Sequence, residues 1–145
     1  MTRVTPFLPL PLALTAGLLL GGVVGSASAG AIDPGRSTID DAARLNASAT
    51  TVRLGGVVHC PTCRTFTLGA TVSQRTSGAV GQGGVRCVCR GGAERWLLTA
   101  RAREATRFKP GAARVCIWII ARDASRAAID AQQWCERVTL RAAEA

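Results

Sequence analysis

The chain has 145 residues, with 18 Lys and Arg against 9 Asp and Glu, for a net charge of +9. That length makes one domain the default and is enough to build a real core. Nothing beyond residue 29 is long and apolar enough to span a bilayer as a helix.

The first 29 residues read as an export signal. Arg3 is their one charged side chain, Phe7 to Val24 is apolar and Leu-rich, and Ala27-Ser28-Ala29 is a small-x-small cleavage site. Pro9, Pro11 and Gly21-Gly22 make this a poor spanning helix. The mature chain is therefore expected to run from Gly30 to Ala145, secreted and extracellular, with a net charge of +8 after loss of Arg3 (17 basic, 9 acidic). Basic surfaces attract anionic polymers. Arg in such excess over Lys, beside abundant Ala and Gly, is also what a high-GC coding bias leaves on a solvated surface.

Residues 30–49 are Ala-, Ser-, Asp- and Gly-rich with little periodicity and are expected to be a flexible N-terminal tail. From Thr50 the pattern alternates. Val52, Leu54, Val58 and Cys60 share one face of a strand, and Phe66, Leu68, Ala70 and Val72 share one face of a second. Gln74 to Gly84 reads as a loop or wide turn. Val85, Cys87 and Cys89 line a third strand. Trp96, Leu98, Ala100 and Ala102 line a fourth, whose polar side carries Arg95, Arg101 and Arg103. Pro110-Gly111 is a turn signal.

Val115 to Ile120 is almost wholly apolar and reads as a central strand covered on both faces. Asp123 to Gln133 has Ala-rich helical spacing, compatible with a turn or two of helix or with a hairpin loop. Trp134, Val138 and Leu140 alternate in a last strand. Six to seven short strands in residues 50–145 make an all-β, two-layer antiparallel sandwich. The aromatics beyond the signal, Phe66, Trp96, Phe108, Trp118 and Trp134, read mainly as core.

Six cysteines outside the cell should be paired. Cys87 and Cys89 lie two apart in a strand, roughly 6.5–7 Å between Cα atoms, at the limit for bridging each other. Cys60 and Cys63 flank a Pro61-Thr62 turn. Cys60–Cys89 with Cys63–Cys87 is the natural set, with the crossed pairs left open. Cys116 and Cys135 remain for a cross-strand bridge. Each bridge would contribute about 3 kcal/mol. The same four clustered residues, Cys60, Cys63, Cys87 and Cys89, could instead be zinc thiolates. Cys60-Pro61-Thr62-Cys63 could be a redox pair, but strands on either side replace the helix start that would activate its thiol. His59 points away from Cys60 and adds little to either.

No catalytic arrangement is recognisable. His59 is the one histidine, no G-x-S-x-G presents a serine, and Gly81-Gln82-Gly83-Gly84 lacks the Lys and helix of a phosphate loop. No cofactor is implied.

A resemblance joins these readings. Gly56-Val57-Val58-His59-Cys60, Val72-Ser73-Gln74, Cys89-Arg90-Gly91 with Trp96, and Pro110-Gly111-Ala112-Ala113-Arg114-Val115 form a frame. That frame is similar to one shared by small secreted actinobacterial proteins of unknown function, over residues 50–140. It implies an immunoglobulin-like sandwich, an inter-sheet Cys60–Cys89 bridge and no known activity. The expectation is a secreted binding or interaction module whose partner is an anionic extracellular polymer or cell-wall component, met by Arg86, Arg90, Arg95, Arg101, Arg103, Arg107, Lys109 and Arg114, with Arg95, Arg101 and Arg103 as a stripe on the polar face of one strand. Nucleic acid is not expected as a partner. The competing class is a zinc or thiol-redox protein built on the four clustered cysteines.

Overall fold

Alternation governs which side of each strand is buried. The computed structural model describes residues 30–144; the export signal read in residues 1–29 lies outside them. Eight strands follow in order: β1 (Asp33–Ile39), β2 (Ala42–Leu45), β3 (Thr51–His59), β4 (Thr65–Ser73), β5 (Val80–Val88), β6 (Ala93–Ala102), β7 (Gly111–Arg122) and β8 (Ala128–Arg141). No helix occurs among the described residues, so the body is all-β. Residues 123–127 form a hairpin turn instead of a helix. Asp123 Oδ1 accepts from Ser125 N (2.9 Å), Ser125 Oγ (2.7 Å) and Ala127 N (3.1 Å), an Asx turn that ends β7 and starts β8.

The core is built by rows of inward side chains. Phe66 faces Ala121, Leu68 faces Ile119, Ala70 faces Ile117 and Val72 faces Val115 across β4 and β7, and all eight are buried. Trp96, Leu98 and Ala100 of β6 meet Val52, Leu54 and Val58 of β3 inside. Each large side chain taken wholly out of water contributes about 1.5–3 kcal/mol before entropy is counted.

Two open layers were the expectation, and the hydrogen bonding goes further. β3 pairs β6, β6 meets β5 at Gly81–Ala102 and Gln82–Arg101, and β5, β4, β7 and β8 follow in sequence. β2 then pairs β8 in parallel and β3 antiparallel. The ring β3-β6-β5-β4-β7-β8-β2 is closed, a seven-stranded barrel with β1 laid along β3. Closure at β5–β6 depends on Gly83, where a Cβ would fall on the Thr99 carbonyl.

The other closing strand comes from the segment expected as a tail. Residues 30–49 carry β1 and β2 and bury Ala31, Ile32, Ile39, Ala43 and Leu45. Their apolar positions are too sparse to announce strands, and β1 is irregular between Asp33 and Thr38. They are ordered by partners far along the chain. Ile32 N, for example, donates to Asp130 Oδ2 at 2.9 Å.

Candidate functional site

The cysteine cluster takes its geometry from strand register. β3 continues past His59 because Cys60 N donates to Gly92 O (3.0 Å), so Cys60 stays on the β3–β6 ladder, wholly buried. Cys63 belongs to the start of β4. Thr65 faces Val88 on β5, and Cys89 N donates to Arg64 O (2.9 Å), which sets Cys63 beside Cys89. The bridge is therefore Cys63–Cys89, with Cα atoms 6.0 Å apart. This corrects the favoured Cys60–Cys89 and Cys63–Cys87 set, and with it the inter-sheet pair that the family resemblance implied. Cys60 and Cys87 are free thiols. Cys116 and Cys135 face each other across β7 and β8 and form the second bridge, at a Cα separation of 4.0 Å.

The sulfurs of Cys60, Cys63 and Cys89 lie within 4.8 Å of one another. With Cys63 and Cys89 bonded, only Cys60 and Cys87 could offer thiolates, half of the tetrahedral set considered for zinc. Burial pushes the Cys60 thiol up to about 11, and Glu94 and then Cys87 add to the shift. Burial, then Glu94, raises Cys87 too. A redox nucleophile needs the opposite shift.

The expected arginine stripe lies on the outer side of β6 with its members in different circumstances. Arg95 forms a two-pronged ion pair with Asp40, donating from Nη1 to Oδ1 at 2.8 Å and from Nη2 to Oδ2. That hydrogen bond raises its pKa. Arg103 donates to Gln82, and Arg101 stands exposed opposite Thr51. One of the three charges is thus already met by a carboxylate of the segment read as a tail.

A different face carries the more distinctive arrangement. β7 was expected to be covered on both sides, yet Trp118 is 44% exposed. Val115, Ile117 and Ile119 fill the interior, and among the described residues no layer covers the outer side of β7. Trp118 sits directly across from Gly69, and its indole lies over that glycine, since a Cβ there would strike Cε2, Cζ2 and Nε1. Gly84 continues the row on β5 and Gln133 on β8. Thr67 and Thr71 flank Gly69 on the same pleat. The result is an open, shallow platform with an indole in the middle and hydroxyl and amide groups around it.

Along the same outer side, the Cys116–Cys135 bridge separates Trp118 from Arg114 and Arg137. These two arginines face each other in register, and Ser73 completes their row on β4. With Arg75 and Thr76 they line a groove of about 770 Å³.

No family model matches the chain, and none of the curated proteins does. Among solved structures, the Pseudomonas fluorescens alkylpurine DNA glycosylase AlkC, bound to DNA containing an abasic site analog, is similar at 11% identity and a TM-score of 0.35. That alignment covers 81% of this chain and 32% of the glycosylase, so the chain spans about a third of that protein. The CooA pilin subunit from enterotoxigenic Escherichia coli aligns at 10% identity and a TM-score of 0.31, over 70% of this chain and 86% of the pilin. At these scores neither likeness bears on function.

Trp118 as an exposed platform escaped sequence reasoning, and of the groove only Arg114 stood among its candidate cations. The available signal was an outward glycine, Gly69, set among outward threonines on one strand, and a tryptophan at an outward position on another. Only the register of β4 against β7 brings them together.

Proposed function

We propose that the protein is an exported, non-catalytic binding module that holds an extracellular or cell-wall glycan on the outer face of β4 and β7. The observation that carries this reading is Trp118 laid over Gly69, exposed on an uncovered sheet and ringed by Thr67, Thr71 and Gln133. A sugar ring has an apolar C–H face that packs on an indole and hydroxyls that take hydrogen bonds from its surroundings. Export is supported by the signal sequence and by the two disulfides. In this reading the fold is a variant of the immunoglobulin-like sandwich that the resemblance to small secreted actinobacterial proteins implies, with its two edges joined in this chain.

Affinity electrophoresis through gels containing neutral and acidic cell-wall polysaccharides tests the proposal. The wild-type protein should be retarded by at least one of them, with Trp118→Ala losing roughly tenfold in affinity. Trp118→Ala migrating like wild type in every gel would overturn it.

A thiol-redox or zinc reading draws on the convergence of Cys60, Cys63 and Cys89. Intact mass before and after alkylation without reductant decides it: four alkylatable thiols with bound zinc would replace the staple reading.

A further inference from the structure

We infer that the groove at the Arg114–Arg137 pair is an anion subsite and that the glycan is an acidic one, its phosphate or carboxylate groups seated there. This rests on the glycan reading above and adds the chemistry of the ligand. Three observations carry it.

The first is the pairing itself. Arg114 and Arg137 occupy directly opposed positions on β7 and β8, where side chains are about 5 Å apart at Cβ and like charges repel. β8 therefore retains a destabilising arrangement within its long ladder with β7, three pairs from the Gly111–Leu140 end. An anion bridging the two guanidinium groups turns that repulsion into two charge-assisted contacts.

The second is the absence of an internal counter-charge. Among the described residues, the salt bridges are Arg44–Glu144, Arg90–Glu94 and Arg95–Asp40. Arg75, Arg114 and Arg137 take part in none of them, and all three are exposed. Glu136 also lines the groove, but it lies on the opposite pleat of β8, in line with the buried Val138 and Leu140. Ser73 and Thr76 add hydroxyl donors beside the arginines.

The third is position. Arg114, Cys116 and Trp118 project to the same side of β7, so the groove and the indole lie on one continuous surface. Four residues of strand separate them, roughly 13 Å. A single sugar cannot reach both, so the ligand that uses both is a chain with repeating negative charge.

Titration calorimetry at two salt concentrations tests this, using polygalacturonate, polyglycerol phosphate and a neutral glucan as probes. The two acidic polymers distinguish carboxylate from phosphate. The variants are Arg114→Gln with Arg137→Gln, Trp118→Ala, and Arg36→Gln with Arg53→Gln as a charge-matched control on β1 and β3, away from the groove. The groove pair should weaken binding of an acidic polymer by roughly tenfold or more and flatten its salt dependence. The control should change it little, and the groove pair should be as resistant to denaturant as wild type or more so. Equal losses in the groove pair and the control would mean diffuse charge attraction and overturn the inference, as would binding of neither acidic polymer by the wild type. If Trp118→Ala abolishes binding of acidic and neutral polymers alike while the groove pair changes nothing, the subsite fails and the glycan reading stands. If the groove pair alone matters, the subsite stands and the stacking reading fails.

Discussion

Two glycine-to-alanine changes of identical chemistry should have opposite outcomes, because one faces the interior seam and the other faces the platform. Alanine in place of glycine in a strand gains about 0.5–1 kcal/mol from the restricted unfolded chain. At Gly56 the new methyl would fall on the Thr38 carbonyl of β1 and within 2.6 Å of the buried Trp96 ring. Neither neighbour can yield. Trp96 is only 1% exposed, and Thr38 sits in the ladder beside the Ile39–Gly56 pair. Relief requires β1 to leave β3, carrying the buried Ile39 with it. Overpacking of this kind costs about 1–3 kcal/mol, and here the upper end applies. At Gly69 the atoms nearest to the new methyl all belong to the exposed Trp118 indole, which can swing into solvent. Gly56→Ala should therefore lose about 2–3 kcal/mol, roughly 10 °C in Tm for a chain of this size. Gly69→Ala should stay within about 0.5 kcal/mol of wild type while losing the glycan affinity assigned to Trp118. Equilibrium unfolding in guanidinium, followed by tryptophan fluorescence, measures both at once. Equal stabilities for the two variants, or undiminished glycan binding by Gly69→Ala, would refute this account of the platform.

Four further outcomes are expected. Gln74→Leu should destabilise by about 2–3 kcal/mol in the same unfolding assay, because the buried amide accepts from Lys109 N (2.8 Å) and Ser77 Oγ (2.8 Å) and donates to Lys109 O (2.7 Å). Native alkylation followed by peptide mass mapping should modify the half-buried Cys87 before the wholly buried Cys60. Moving the Cys60 thiol from 9.0 to about 11 lowers its thiolate fraction roughly a hundredfold at neutral pH. A folded-state value above the unfolded one means that Cys60 contributes stability fully below pH 9, and that this is lost as pH rises from 9 towards 11. Asp130→Ala should free residues 30–32, since Ile32 N loses its acceptor, and hydrogen exchange at Ile32 should rise while the β4–β7 amides keep their protection.

What could be read in the sequence follows from the range of the forces involved. Alternation is local, so the inward rows of β3, β4 and β6 were legible residue by residue, down to Trp96 and Phe66. Whether the other side of a strand is covered is not local. Trp96 stands in an alternating stretch and Trp118 in an almost wholly apolar run, yet the first is enclosed and the second is 44% exposed, because among the described residues no element crosses the outside of β7. The N-terminal strands fail in the converse way. Ile39, Ala43 and Leu45 are buried by β3 and β8, partners that their own spacing does not announce.

The cysteines show where such reading stops. Cys60 and Cys63 look like one motif, and the sulfurs of both lie within 4.8 Å of that of Cys89. What separates them is that the chain changes partners between them. Cys60 still answers to β6, through Gly92, while Arg64, one residue past Cys63, already answers to β5, through Cys89. A pairing inferred from a tight C-x-x-C turn treats its two cysteines as interchangeable, and the hydrogen-bond register makes them members of different ladders. The cysteine that continues β3 is left buried and slow to ionise, and the one that begins β4 becomes the staple. The same change of ladder explains why the cluster does not present four equivalent thiolates: its sulfurs converge from three strands, and the covalent bond has formed between the two carried by adjacent ends of β4 and β5.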